Sequence, residues 1–262
     1  MELTIYQVDA FTNQLFGGNP AAICPLEDWL PDDLMQQIAL ENNLSETAFI
    51  VPEKNDYRIR WFTPAVEVNL CGHATLAAAH VYYTQLNHTE EKIVFHSKSG
   101  PLTVVSVDES YVMNFPTDNF EEAALPEQVE LALGPVPTEF YRGRDDFMAV
   151  FENQKVIESF QPNFQLIAQL PARGLLVTAP GENVDFVSRG FFPASGINED
   201  PVTGSAHTTL TPYWSNKLGK KKLSALQLSS RGGMLECEYL DDRVNLKGQA
   251  ITYLKGQIYV NR

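Results

Sequence analysis

The chain has 262 residues, 44% of them hydrophobic and 20% charged, enough apolar content to bury one large core or two of medium size. Its 19 basic and 33 acidic residues leave a net charge of −14, which argues against nucleic acid, whose binding depends on clustered lysine and arginine. Three cysteines, Cys24, Cys71 and Cys237, form no Cys-x-x-Cys pair, so neither a disulfide framework nor a zinc knuckle is indicated and a reducing, cytoplasmic setting is expected.

In chain order, the strand-like opening over residues 3–8 lacks the basic start and apolar block of a signal peptide. No apolar run reaches membrane-spanning length, so no membrane partner is expected. Short β-branched and aromatic runs predict strands at residues 21–23, 47–51, 57–62, 93–95 and 102–105. Residues 31–43 predict a surface helix, with Pro31 in its first turn and an apolar stripe of Leu34, Met35 and Ile38. Residues 74–83 are small or apolar all around, the pattern of a buried central helix. Residues 205–214 are less uniform, and Pro212 predicts a shorter or bent helix there. The run Lys220, Lys221 and Lys222 beside Gly219 reads as a solvated turn.

An internal echo organises these elements. Arg60-Trp61-Phe62-Thr63-Pro64-Ala65 returns as Arg189-Gly190-Phe191-Phe192-Pro193-Ala194, sharing Arg-x-Phe-x-Pro-Ala. Glu67 stands five residues before Gly72, and Glu199 five before Gly204; Gly72 and Gly204 lie 132 positions apart, as do Gly100 and Gly232. Landmarks in one order at nearly one spacing, over half the chain, predict two related domains.

Each predicted central helix opens on glycine, at Gly72-His73-Ala74-Thr75 and Gly204-Ser205-Ala206-His207. The first N–H groups of a helix lack internal partners, the dipole is positive there, and glycine lets a ligand come close. Such termini suit a carboxylate or phosphate, so a small anionic substrate is expected.

The segments Asp9-Ala10-Phe11-Thr12, Phe16-Gly17-Gly18-Asn19-Pro20, Ser45-Glu46-Thr47-Ala48-Phe49, Trp61-Phe62-Thr63-Pro64, Gly72-His73-Ala74-Thr75 and Glu199-Asp200-Pro201-Val202-Thr203-Gly204-Ser205-Ala206-His207 resemble the PhzF-like proteins of phenazine biosynthesis. The resemblance covers most of the chain in the right order. It implies an α+β fold of the diaminopimelate epimerase kind: two pseudo-repeated β-barrel-like domains, residues 1–115 and 116–262, each wrapped around a central helix. The last strand is free to cross back to the first domain, and a substrate cleft lies between the two.

The resemblance also implies an isomerase with Glu46 as acid/base, His73 as helper and Asp200 as a further catalytic group. Asn19, Ser45, Gly72, Gly204 and Ser205 are implied in substrate binding. A homodimer is left open, since dimers are common in that family. The residues fit these roles physically. Glu46 heads an apolar run, and removing water from a carboxyl makes it a stronger base. His73 sits at a helix N-terminus, which predicts a lowered imidazole basicity and a neutral proton relay. Asp200 is held extended by Pro201, and Ser205 is expected both to meet an anion and to cap its helix.

Diaminopimelate epimerase-like enzymes set a cysteine before the first helix and a second in the other half. Here the first is Cys71, whereas counting back from Thr203-Gly204 puts the second at Pro201. A two-thiol racemase therefore lacks half its machinery, and Cys71 reads as a small buried residue. No dinucleotide or phosphate loop and no metal-ligand cluster appears, so no cofactor and no metal is expected; His73 and His80, two turns apart, lack a third ligand. The expected reaction is a proton shift within one substrate. An epimerase using Cys71 alone and a non-catalytic metabolite-binding protein are the alternatives.

Overall fold

The computed structural model describes residues 1–260. In chain order it runs through β1 (Glu2–Ala10), β2 (Asn19–Pro25), α1 (Asp32–Asn42), β3 (Glu46–Glu53), β4 (Asp56–Phe62), β5 (Glu67–Val68), α2 (Gly72–Gln85), β6 (Lys92–Ser97), β7 (Gly100–Val107) and β8 (Ser110–Pro116). The second half holds β9 (Glu121–Glu122), α3 (Glu127–Leu133), β10 (Glu139–Arg142), β11 (Asp146–Val150), α4 (Gln154–Ser159), α5 (Phe164–Ile167), β12 (Gly174–Pro180), β13 (Phe186–Phe192) and β14 (Ile197–Asp200). It continues through α6 (Gly204–Leu218), β15 (Lys222–Gln227), β16 (Gly233–Tyr239) and β17 (Arg243–Gly248), and the chain closes with β18 (Ala250–Tyr259).

The chain falls into two compact units, Met1–Asn114 together with the chain from Lys247 onward, and Phe115–Leu246. The segment after Leu246 groups with the first unit because β18 pairs antiparallel along β1, from Tyr259 opposite Glu2 to Ala250 opposite Ala10. The second unit thus ends before β18 rather than at residue 262.

Each unit is built on the same succession of pairings. In the first, β1–β2 is antiparallel, β2–β3 parallel, β3–β4 antiparallel, β4–β6 parallel and β6–β7 antiparallel. In the second, β10–β11, β11–β12, β12–β13, β13–β15 and β15–β16 repeat that series in the same order. The sequence echo marks its register. Arg60 on β4 forks onto Glu67 of β5 at 2.8 Å through both Nε and Nη2. Arg189 on β13 forks onto Glu199 of β14 at 2.7 and 2.9 Å. A guanidinium holding a carboxylate at two points fixes both distance and angle.

Helix α2 is buried almost all around, from His73 through Ala79 and again at Val81 and Tyr82, and packs against β1, β2 and β3. Its alanines keep the helix thin enough for the strands to come close. On the other face of that sheet, Met35, Ile38 and Ala39 of α1 cover Ile5, Ala22, Cys24, Phe49 and Val51. Strand β2 therefore reads as a continuous apolar run, as expected when both faces are covered. In the second unit α3, α4 and α5 play the outer part over Phe147, Ala149, Leu175 and Val177.

Helix α6 departs from expectation. It spans 15 residues, one more than α2, despite Pro212 within it. Proline takes a donor away from the carbonyl four residues earlier. That carbonyl belongs to Thr208, and the Asp118 N–H donates to it instead at 3.2 Å. The lost bond is replaced from outside, so the helix continues.

Candidate active site

Strand β2, which opens the first unit's site, starts at a tight point in the chain. Gly18 has φ +61°, and a Cβ there would lie 2.1 Å from the Ala10 carbonyl oxygen, so only glycine lets the turn deliver Asn19 to the start of β2. Asn19 is fully buried. The parallel register of β2 and β3 sets Ala21 beside Glu46, which brings the first residue of β3 close to the start of β2. Helix α2 follows Cys71, whose extended backbone forms its N-cap while the Thr75 hydroxyl donates to the Cys71 carbonyl at 2.6 Å.

Four side chains meet there. His73, 5% exposed, sets Nε2 3.1 Å from Glu46 Oε2. Its other nitrogen, Nδ1, faces Asn19 Nδ2 at 3.2 Å and Cys71 Sγ at 3.5 Å. Burial opposes a charged His73 ring. The adjoining Cys71 and the Glu46 carboxylate favour it, and the balance holds the imidazole well above its usual value. The lowered basicity expected of a helix N-terminus is thus overturned: charges in direct contact outweigh a dipole of about half a charge. Burial, helped by the charge of Glu46, pushes the Cys71 thiol up to about 11. At neutral pH it is a thiol, which leaves Glu46 as the charge that acts on His73.

The remaining residues expected in this unit take simpler places. Gly72 is the first residue of α2, and Ser45 stands half-buried one residue ahead of β3. His80 does not join His73 as a ligand pair. Its Nδ1 lies 3.0 Å from the Tyr111 hydroxyl and its Nε2 2.9 Å from that of Thr252, and burial pushes its pKa down to about 4. Among the described residues, Glu46, Cys71 and His73 are the group of metal-ligating type, with donor atoms within 4.8 Å of one another. His73 turns opposite ring nitrogens to the other two, so one ion would have to give up a donor, and the set fits a hydrogen-bonded cluster better.

In the second unit, Asp200 closes β14 and accepts the Thr203 hydroxyl at 2.6 Å. The buried Gln227 ties this loop down: its Nε2 donates to the Asp200 carbonyl at 2.7 Å, and its Oε1 accepts the Thr203 N–H at 2.8 Å. Thr203 is the N-cap of α6, so by helix cap the counterpart of Cys71 in the repeat is Thr203, rather than Pro201, and it is not a thiol. Cys237 lies buried on β16. Ser205 does not cap the helix, because it is already the second residue of the first turn. Its Oγ instead accepts from Arg173 Nη2 at 3.1 Å.

Arg173, beside Ser205, is a residue that motif reading misses. Its Nε donates to the buried Asp146 at 2.9 Å, its Nη2 makes a second bond to the same carboxylate, and its guanidinium lies 5.3 Å from the centre of the Phe192 ring. The repeat register contained the signal. Phe62, two residues beyond Arg60, pairs with Thr47, while Phe191, two beyond Arg189, pairs with Leu175. One step back, Glu46 corresponds to Gly174 and Ser45 to Arg173.

Fold and relatives together define an isomerase with the diaminopimelate epimerase-like fold. A hydroxyproline epimerase of Agrobacterium vitis, crystallised with trans-4-hydroxy-L-proline, has the same fold at 12% identity, with a TM-score of 0.63 over 98% of this chain and 92% of its own. Nearer matches narrow the class. The family model for phenazine biosynthesis-like proteins matches residues 8–256. A Pseudomonas aeruginosa protein named as an uncharacterized isomerase is 49% identical over 260 residues, covering 99% of this chain and 100% of the relative. The crystal structure of a PhzF-family protein from Enterococcus faecalis superposes with a TM-score of 0.97 at 47% identity, over 99% of this chain and 100% of that one. The chain belongs to the phenazine biosynthesis-like (PhzC/PhzF) family. Among the described residues, no helix is long and apolar enough to cross a membrane.

Proposed function

We propose that this isomerase moves a proton within a small carboxylate-bearing metabolite, with Glu46 taking a C–H proton next to an unsaturated or carbonyl system and returning it elsewhere on the same molecule. The observation that carries the reading is the Glu46–His73 contact of 3.1 Å in a setting where both side chains are largely buried. A base shielded from water is stronger, and an imidazole in contact steadies the charge that passes through it. The reading calls on no cofactor, because the step needs one base and one acid and side chains supply both. Asp200, Gly204 and Ser205 keep the catalytic and binding roles that the family resemblance implies, and the N-terminus of α6 and Arg173 suit a carboxylate.

The sulfur of Cys71, 3.5 Å from His73 Nδ1, keeps a one-thiol epimerase as the second reading. Candidate substrates incubated in deuterated water separate the two. Deuterium incorporation that survives Cys71→Ala and disappears with Glu46→Gln supports the proton shift, whereas loss with Cys71→Ala supports the epimerase. A ligand that binds without any exchange points to a non-catalytic binding protein and sinks both.

A further inference from the structure

We propose that Asn19 and Cys71 are positioning residues that keep the ring proton of neutral His73 on Nε2, facing Glu46. This rests on the Glu46–His73 pair as the proton-transfer centre, and it reassigns Asn19 from substrate contact to control of the pair.

Two neighbours converge on one ring nitrogen. Asn19 turns its amide nitrogen to His73 Nδ1 at 3.2 Å, and an amide nitrogen only donates. The Cys71 sulfur faces the same Nδ1 at 3.5 Å and keeps its hydrogen at neutral pH, because its thiol is pushed up to about 11. In the neutral ring a nitrogen that receives the Asn19 donor carries no hydrogen of its own, and the Cys71 thiol is then free to donate to it as well. The proton of the neutral ring is therefore on Nε2, where Glu46 Oε2 lies 3.1 Å away. In this tautomer an N–H faces the carboxylate at contact distance; in the other, a bare Nε2 would face an anion and repel it. Asn19 is fully buried at the start of β2, where its amide can hold the ring.

The second unit carries an internal reference. His207, fully buried near the start of α6, has its Nδ1 2.8 Å from the Thr203 carbonyl, which only accepts, so its proton is on Nδ1. Two histidines of one chain are thus held in opposite tautomers.

Nitrogen-15 NMR of the imidazoles in the full chain tests this without a substrate. The expected spectrum of the wild type has His73 protonated at Nε2 and His207 at Nδ1 in their neutral forms. Asn19→Asp replaces the donor with an acceptor, so it should draw a proton to His73 Nδ1 and raise the titration midpoint of His73 by about one pH unit or more. It should also move the matching limb of the pH–rate profile, while His207 stays unchanged. Cys71→Ser, which keeps a donor, should retain the wild-type tautomer. A neutral wild-type His73 protonated at Nδ1 overturns the proposal, and that reading requires no variant to fold. An Asn19→Asp protein with unaltered His73 shifts overturns it as well. Failure of the isomerase reading looks different: the tautomers stand as expected while Glu46→Gln leaves exchange intact.

Discussion

In the first unit, β3 begins at Glu46 and its carboxylate reaches the second residue of the central helix, His73, at 3.1 Å. In the second, β12 begins at Gly174 behind Arg173, and the guanidinium reaches the second residue of its helix, Ser205, at 3.1 Å. The backbone device is the same: a strand start set against a helix N-terminus. Its side chains differ in sign and in the ease with which they exchange a proton. A carboxylate and an imidazole trade protons near neutral pH, whereas a guanidinium and a hydroxyl do not. The duplicated scaffold thus sets a titratable pair in one copy and a fixed positive charge in the other. In Gly174 the second copy has no room for a carboxylate, since a Cβ there would fall 2.2 Å from the Phe192 ring.

The largest effect expected from this comparison is on Glu46→Gln. An amide cannot take the proton, so exchange in deuterated water should fall by about 100- to 10,000-fold with the fold retained. Full exchange by that variant would move the chemistry elsewhere. Next come the two forks. Arg189→Met leaves the largely buried Glu199 without its cation and should cost about 3 kcal/mol of stability in urea unfolding, whereas Arg60→Met leaves Glu67 with Lys98 at 2.6 Å and should cost less. Arg189 also donates to the Ile157 and Phe160 carbonyls, so its loss should be the larger of the two. Equal costs would mean that the repeat, and not the extra bonds, sets the value.

The buried histidines give an effect of opposite sign in the two units. Burial pushes His207 down to about 4, so its folded form takes up a proton later than the unfolded chain, which does so near 6.5. Stability from this group is complete above about pH 6.5 and is lost as pH falls toward 4, by about 2 kcal/mol between pH 7 and 5. His73 is held high, so its contribution is complete below about pH 6.5 and is lost as pH rises through its own elevated value. His207→Leu should flatten the acid limb of a stability–pH curve, and an unchanged limb would contradict the burial of that ring.

Much of this was legible in the chain. The Arg-x-Phe-x-Pro-Ala echo and the glutamates that follow it announced the duplication, because the forks need the same residues at the same places on β4 and β13. The central helix α2 was legible from its small residues. Other features depend on partners far off in sequence. The continuation of α6 past Pro212 requires the Asp118 N–H, and no local pattern near residue 212 reveals it. The charge preference of His73 follows from Glu46, set beside it by the register of β2 and β3. The helix dipole is local and readable; the stronger, non-local charge was not. Arg173 was hidden for a different reason. Its counterpart in the first unit is Ser45, so comparing residue types between the repeats conceals a position that only strand pairing exposes.

Arg173 also carries the smallest expected effect and the one that bears most directly on the comparison. If the second copy binds while the first reacts, Arg173→Met should raise KM for a carboxylate substrate about tenfold and leave kcat nearly unchanged, since a ground-state charge contact is lost and the proton-transfer pair is untouched. The substitution also strips Asp146 of its fork, so stability must be measured beside the kinetics. Arg173→Lys keeps the charge without the two-point grip. It should recover part of the KM if the charge serves the substrate, and little stability, because the flat fork on Asp146 is gone. A loss of stability in Arg173→Met with an unmoved KM would make Arg173 a brace for the start of α6, and the positive charge of the second repeat would then serve the fold alone.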